Sequence, residues 1–226
     1  MITTILIDID NTLLDFHKCA EASLRQGFAD FGLPWTEDFL PVFHTVNDGL
    51  WRQLEEGVIP SRKALFDIRF DRVFGAAGIT CDGKAFEDHF QHLLTESHEP
   101  VDGAMDALRY LAGKYTVCAA SNSAYDHQIR RLRDAGMLPY FAHVFVSESA
   151  GVTKPDPAFF QWCLDRLEGV EKDEIVMIGD SLTADVAGAE AFGLRCCWFN
   201  FEGIAVPEDL RVWKIIDRLE EIPAIL

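Results

Sequence analysis

The stretch Thr3-Thr4-Ile5-Leu6-Ile7-Asp8-Ile9-Asp10-Asn11-Thr12-Leu13-Leu14 leaves this chain few ways to fold. Ile5, Leu6, Ile7 and Ile9 are apolar and mostly β-branched, and the run is too short for a long helix. Such a run forms a strand buried on both faces of a parallel sheet. A strand of that kind tolerates little charge, yet this one ends in Asp8-x-Asp10. Residues i and i+2 of an extended chain point to the same side, so the two carboxylates converge at the carboxyl edge of the sheet. Open α/β folds place their ligands there. Two carboxylates so close repel unless a cation joins them or one keeps a proton. The plain alternative is a strand end followed by an Asp-Asn turn.

Beyond Leu14 the apolar spacing becomes helical. Cys19, Ala20, Leu24, Phe28 and Phe31 mark a helix over 16–31, stopped by Gly32. Thr36 is placed to cap a second helix with Phe39, Leu40, Phe43, Val46, Leu50, Trp51 and Leu54 inward, ended by Gly57. Pro60-Ser61 opens a third helix running through Leu65 and Phe70 to Phe74, and residues 82–96 make a fourth. Residues 15–98 therefore read as an all-helical insertion. From Pro100 onward helices alternate with strands: helix 103–114, strand 116–120, helix 125–134, strand 144–146, helix 157–167, strand 175–178, helix 184–192 and strand 196–199. The tail carries a strand near 213–216 and a short helix after Asp217. This alternation predicts crossover units and a parallel sheet with helices on both faces.

Four polar clusters fall at the expected strand ends. The first is Asp8-x-Asp10-x-Thr12. The second is Ser121-Asn122, where a hydroxyl and backbone N–H groups beside a helix start suit an anion, or Ser121 simply caps the helix. The third is Gly151-Val152-Thr153-Lys154-Pro155-Asp156-Pro157, where two prolines stiffen the loop and place a cation at the edge, although a lone lysine is otherwise just solvated. The fourth is Gly179-Asp180-Ser181-Leu182-Thr183-Ala184-Asp185, which brings further acids. Asp185 also suits a helix N-terminus as a plain macrodipole partner. Several carboxylates with water favour a hard cation, Mg²⁺ above all. With Lys154 it would offset the charge of a phosphoryl group. One aspartate can then attack phosphorus, and a second can protonate the leaving oxygen and activate water.

The net charge of −17 argues against a nucleic-acid polymer as partner, because a polyanion is repelled. It leaves room for a small phosphorylated metabolite held by local cations. No run approaches ~20 uninterrupted apolar residues, so no membrane span is expected. Met1 leads straight into the first strand, which predicts no signal peptide. The cysteines 19, 81, 118, 163, 196 and 197 show no zinc spacing and read as reduced core thiols of a cytoplasmic protein. Monomer and homodimer both stay open.

Taken in order, the DxDxT start, the strand-end Ser, the Lys-Pro pair and the GDxxxxD segment resemble the haloacid dehalogenase-like superfamily. The likeness spans essentially the whole chain. It implies a Rossmann-like α/β core over 1–14 and 99–226, with an inserted helical cap over 15–98. It also implies Asp8 as nucleophile, Asp10 as general acid/base, and Ser121 and Lys154 on the phosphoryl group, with Thr12 and Asn122 lining the same site. Mg²⁺ would be bound by Asp8, the Asp10 carbonyl and Asp180, with Asp185 acting through water or from behind these ligands. Superfamily dehalogenases lack an acid at the position of Asp10, so its presence points to phosphoryl transfer. A closer likeness is to bacterial house-cleaning pyrimidine 5′-nucleotidases, carried by Val46-Asn47-Asp48-Gly49-Leu50-Trp51, by Ser147 to Pro155 and by Cys197-Trp198-Phe199-Asn200. It implies a nucleoside monophosphate substrate with Asn47 or Trp51 near the base, although the apolar spacing of Trp51 also suits plain core.

The leading expectation is a Mg²⁺-dependent phosphatase acting on nucleotides. A sugar-phosphate phosphatase or a phosphomutase shares the same four clusters. A non-catalytic binding relative is the alternative from another class, and it would normally have lost the nucleophile.

Overall fold

A computed structural model of the protein describes residues 1–208 and 210–226. These residues form two compact units, one of Met1–Phe16 with His98–Leu226 and one of His17–Ser97.

The first unit is built on a sheet of six parallel strands: β1 (Thr4–Ile7), β2 (Thr116–Ser121), β3 (His143–Val146), β4 (Ile175–Gly179), β5 (Arg195–Phe199) and β6 (Lys214–Ile216). Their spatial order is β3-β2-β1-β4-β5-β6. The chain winds outward from β1 through β2 to β3, then returns to β4 on the other side of β1. That reversal opens a crevice at the carboxyl ends of β1 and β4, where doubly wound sheets bind ligands. Alternate residues of each strand serve two cores. Ile5, Ile7, Val117, Ala119, Val176 and Ile178 pack on one face. Leu6, Cys118, Ala120, Met177, Cys196 and Trp198 pack on the other. Both faces are covered, which is why the strands read as continuous apolar runs. Where the insertion leaves and re-enters, the two chain segments run side by side, with Val101 N donating to Leu13 O at 3.0 Å and Asp15 N to Glu99 O at 2.8 Å.

The second unit is helical throughout its regular structure: α1 (Phe16–Asp30, whose first residue belongs to the other unit), α2 (Phe39–Glu55), α3 (Arg62–Phe66), α4 (Arg69–Ala77) and α5 (Gly83–Glu96). Its core holds edge-on phenylalanines, with Phe28–Phe39 centroids 4.5 Å apart and Phe28–Phe86 centroids 5.7 Å apart. Such arrangements align ring edges with ring faces. Ser61 and Asp82 cap α3 and α5, accepting from Ala64 N and Ala85 N. Arg69 is buried among these rings. Its guanidinium donates to both Glu87 carboxylate oxygens at 2.9 and 2.6 Å and to Asn47 Oδ1 at 3.1 Å.

Three expectations need correction. The helix anticipated over 60–74 is two helices, because Ile68 turns away at φ −121°. Leu65 packs with Leu50, Leu54 and Ile59, while Phe70 and Phe74 join the phenylalanine cluster, so one straight helix would not serve both cores. Thr36 does not cap α2; Asp38 holds that position without a side-chain bond. The helix expected over 184–192 starts earlier, as a π-helical turn over Leu182–Ala187, before α10 (Gly188–Phe192). The other α-helices of the first unit are α6 (Ala104–Ala112), α7 (Tyr125–Asp134), α8 (Ser147–Ala150), α9 (Pro157–Leu164) and α11 (Ile222–Ile225).

Candidate active site

The carboxyl edge of the sheet gathers the four clusters. Asp8 follows β1 directly, and its N–H continues the ladder to Ile178 O at 2.8 Å. The chain then turns tightly at Asn11, which adopts φ 59°. Asparagine tolerates this left-handed conformation, and its Oδ1 accepts from Phe16 N at 3.1 Å. The turn carries Asp10 and Thr12 back to the edge. Thr12 is fully buried, and its hydroxyl donates to Asp180 Oδ1 at 3.2 Å.

Asp180 follows β4, and its carbonyl is pinned by the indole N–H of buried Trp198 at 2.8 Å. Asp185 lies in the π-helical turn, a feature often found at functional sites. Its Oδ2 accepts from Ser181 N at 3.1 Å, and it sits so close to β4 that a Cβ on Gly179 would meet that oxygen at 2.1 Å. Only glycine fits there. Ligand atoms of Asp8, Asp180 and Asp185 all lie within 4.8 Å of one another.

Lys154 stands against this cluster with 2% of its surface exposed. An ammonium has three protons, and here they go to Asp8 Oδ1 at 2.7 Å, Asp185 Oδ1 at 2.6 Å and Ala120 O at 2.6 Å. Burial works against the Lys154 charge, but Asp185 and Asp8 outweigh it and raise its pKa. Asn122 fixes the lysine loop: its amide donates to Lys154 O at 2.9 Å and accepts from Lys154 N at 2.8 Å. The Lys154–Pro155 peptide is cis.

Electrostatics split the carboxylates. Burial pushes Asp8 up to about 7; Lys154 opposes this, and Asp185 and Asp10 add to it. Burial, with Asp8 and Asp185 nearby, also raises Asp180 well above the ordinary carboxylate range. Asp10 goes the other way. Burial alone would raise it, but the Arg131 charge and hydrogen bond, with His127 and Gln128, hold it low. Crowded acids that resist ionisation fit a divalent cation, which would stabilise their charged forms. The oxygen-only donor set favours a hard ion.

Two residues here were not anticipated from the sequence. Gln128 and Arg131, both fully buried on α7, hold the Asp10 carboxylate. The available signal was spacing: Gln128 lies three residues before Arg131 and four before buried Leu132, so it shares a helix face with both. The remaining candidates, Asn47 and Trp51, belong to the helical unit. Asn47 is buried, with its amide between Arg69 and Asp48. Trp51 is half-buried against Phe66, with centroids 6.3 Å apart. All six cysteines are free, and burial pushes the Cys118, Cys163 and Cys197 thiols up to about 12.

This sheet order, with carboxylates after β1 and β4 and a lysine buried between them, defines a class of hydrolase. The sequence model of the haloacid dehalogenase-like hydrolases matches residues 2–193, and the chain belongs to that family. It is 36% identical over 224 residues to the HAD-hydrolase YfnB of Bacillus subtilis, covering 99% of this chain and 94% of that one. The crystal structure of YfnB bound to magnesium, which reveals interdomain movement, matches with a TM-score of 0.94 and 34% identity over 99% of this chain and 98% of that chain. The pyrimidine 5′-nucleotidase PynA of Streptococcus pneumoniae is 34% identical, covering 87% of this chain and 83% of PynA. The pyrimidine 5′-nucleotidase YjjG of Escherichia coli is 26% identical, covering 98% of this chain and 96% of YjjG. No helix among the described residues is long and apolar enough to cross a membrane.

Proposed function

We propose that this hydrolase is a Mg²⁺-dependent phosphatase of small phosphate monoesters, with pyrimidine nucleoside 5′-monophosphates as its substrates. The observation that carries the reading is the convergence of Asp8, Asp180 and Asp185 against Lys154 at the sheet edge, with Asp10 beside them. The nucleotide part rests on the kinship with PynA and YjjG.

Asp8 attacks phosphorus, forming an aspartyl-phosphate as the ester P–O bond breaks. Asp10, held ionised beside Arg131, takes the proton of the incoming monoanionic ester and passes it to the departing oxygen, then takes one from the water that hydrolyses the intermediate to inorganic phosphate. Lys154 aligns Asp8, and Ser121 Oγ, which accepts from Gln128, keeps its own proton to donate to the phosphoryl group. Thr12 and Asn122 act on the substrate indirectly, through Asp180 and the lysine loop. The carboxylates of Asp8 and Asp180 and the Asp10 carbonyl, with Asp185 behind them, would hold Mg²⁺, which would offset the charge of the phosphoryl oxygens. Residues 15–98 serve as the family's cap. The buried, engaged amide of Asn47 favours Trp51 as the contact to the base.

The test is phosphate release from a panel of nucleoside monophosphates and sugar phosphates, with and without Mg²⁺, for wild type and Asp8→Asn. Metal-dependent release from pyrimidine monophosphates, lost by at least about 10³-fold in the variant, is the expected result. Release mainly from sugar phosphates would keep the chemistry and discard the nucleotide assignment. No release from any ester would overturn the reading.

A further inference from the structure

The face of α7 that packs toward the sheet carries a glutamine and an arginine where an apolar core would normally continue. Both are fully buried. Burying an amide and a guanidinium is costly unless partners offset the lost water, and here the active site supplies partners to both. Gln128 Nε2 donates to Asp10 Oδ2 at 2.7 Å and to Ser121 Oγ at 2.9 Å. Arg131 donates to Asp10 Oδ1 and to Gln128 Oε1, the latter at 3.2 Å. One glutamine therefore ties the acid to the hydroxyl at the end of β2, and one arginine braces both the glutamine and the acid.

We infer that Gln128 and Arg131 are positioning residues that fix the Asp10 carboxyl for proton transfer to and from the reacting oxygens. The inference rests on the phosphatase reading above. A carboxyl group has about four lone-pair sites, so two donors on the α7 side leave sites facing the edge. As the bond from Asp8 to phosphorus forms and the ester bond breaks, the electron pair stays on the ester oxygen, which takes the proton from Asp10. Holding Asp10 in one orientation removes the rotational freedom that this transfer would otherwise have to overcome.

The test compares kcat/KM, which reads the steps up to loss of the leaving group, for two esters with Mg²⁺ present. One is a nucleoside monophosphate, whose alkoxide needs a proton; the other is p-nitrophenyl phosphate, whose phenolate leaves without one. For Arg131→Ala and Gln128→Ala we expect a loss on the order of 10²-fold on the nucleotide, within the range of general acid catalysis. The loss on the aryl ester should be under about 5-fold, and Arg131→Lys should recover part of it by keeping the charge. In an Asp10→Asn background neither substitution should have a further effect, since residues acting through one group are not additive. Should Arg131→Ala fail to fold, Gln128→Met keeps the volume, removes the amide and is read the same way. Equal losses on the two esters, or additive losses with Asp10→Asn, would overturn the inference while the phosphatase reading stands. A wild type inactive on both esters overturns that reading, and the inference with it.

Discussion

Each unit of this protein buries charge, and the two do it differently. In the helical unit Arg69 faces one carboxylate, Glu87, with Asn47 and Gln91 completing the hydrogen bonds. Phe66 and Phe90 rings lie 4.9 and 5.0 Å from the guanidinium carbon. That pair is balanced and closed, with side chains 1% and 2% exposed. At the edge of the sheet Asp8, Asp10, Asp180 and Asp185 face Lys154 and Arg131. With all four acids ionised, two negative charges are left over, the charge of one divalent cation. A balanced buried pair holds a fold in one arrangement; an unbalanced one is a site in need of a ligand.

The largest effect that separates the two is expected at the lysine. Lys154→Ala removes the cation that touches both Asp8 and Asp185. Turnover should fall by about 10²-fold or more, the scale seen when a preorganised electrostatic partner is removed. Steady-state kinetics at saturating Mg²⁺ check it, and unchanged turnover would make Lys154 a counter-ion of the same kind as Arg69.

Next comes the balanced pair. Arg69→Met strands the Glu87 carboxylate in the phenylalanine core and should cost about 3–5 kcal/mol in denaturant unfolding. Adding Glu87→Leu should return most of that loss. A double variant no better than the single would show that the pair is not the self-contained unit its geometry describes.

The smallest effect is on pH-dependent stability. Asp8 titrates at about 7 when folded, against an ordinary 3.8. The folded chain keeps that proton across the window, so the stabilisation is fully present below 3.8 and is lost as pH rises through about 7. Asp180 is raised and adds in the same sense; Asp10 is lowered, so its contribution is already present above 3.8. Metal-free protein should therefore melt several degrees lower at about pH 8 than at about pH 5, and Mg²⁺ should narrow the gap by binding the ionised cluster. Calorimetry across that range reads it directly. A melting temperature independent of pH and metal would mean that the edge is as well compensated as the Arg69–Glu87 pair.

Much of this was legible from residue order alone. The alternation of apolar runs after Pro100 predicts the parallel sheet, because strands buried on both faces leave no other pattern. Asp8, Lys154 and Asp180 stand out because a charge or a stiffened turn at the end of such a strand has no reason in the core, whereas Asp185 read equally well as an acid at a helix N-terminus. The break at Ile68 was hidden, since Leu65 and Phe70 continue one helical spacing although they serve different clusters. Gln128 and Arg131 were hidden among the polar residues Tyr125-Asp126-His127 and Arg130, where the spacing to one apolar residue, Leu132, was the only mark of the inward side.

Sequence by itself determined which groups reach the sheet edge, because strand direction and the period of two are local properties of the chain. Only the tertiary structure decided what each group touches there. Thr12 meets Asp180 across 168 residues and Lys154 meets Asp8 across 146. Partners so distant are chosen by how strands pair and helices pack, and these contacts separate the raised Asp8 from the lowered Asp10 two residues away.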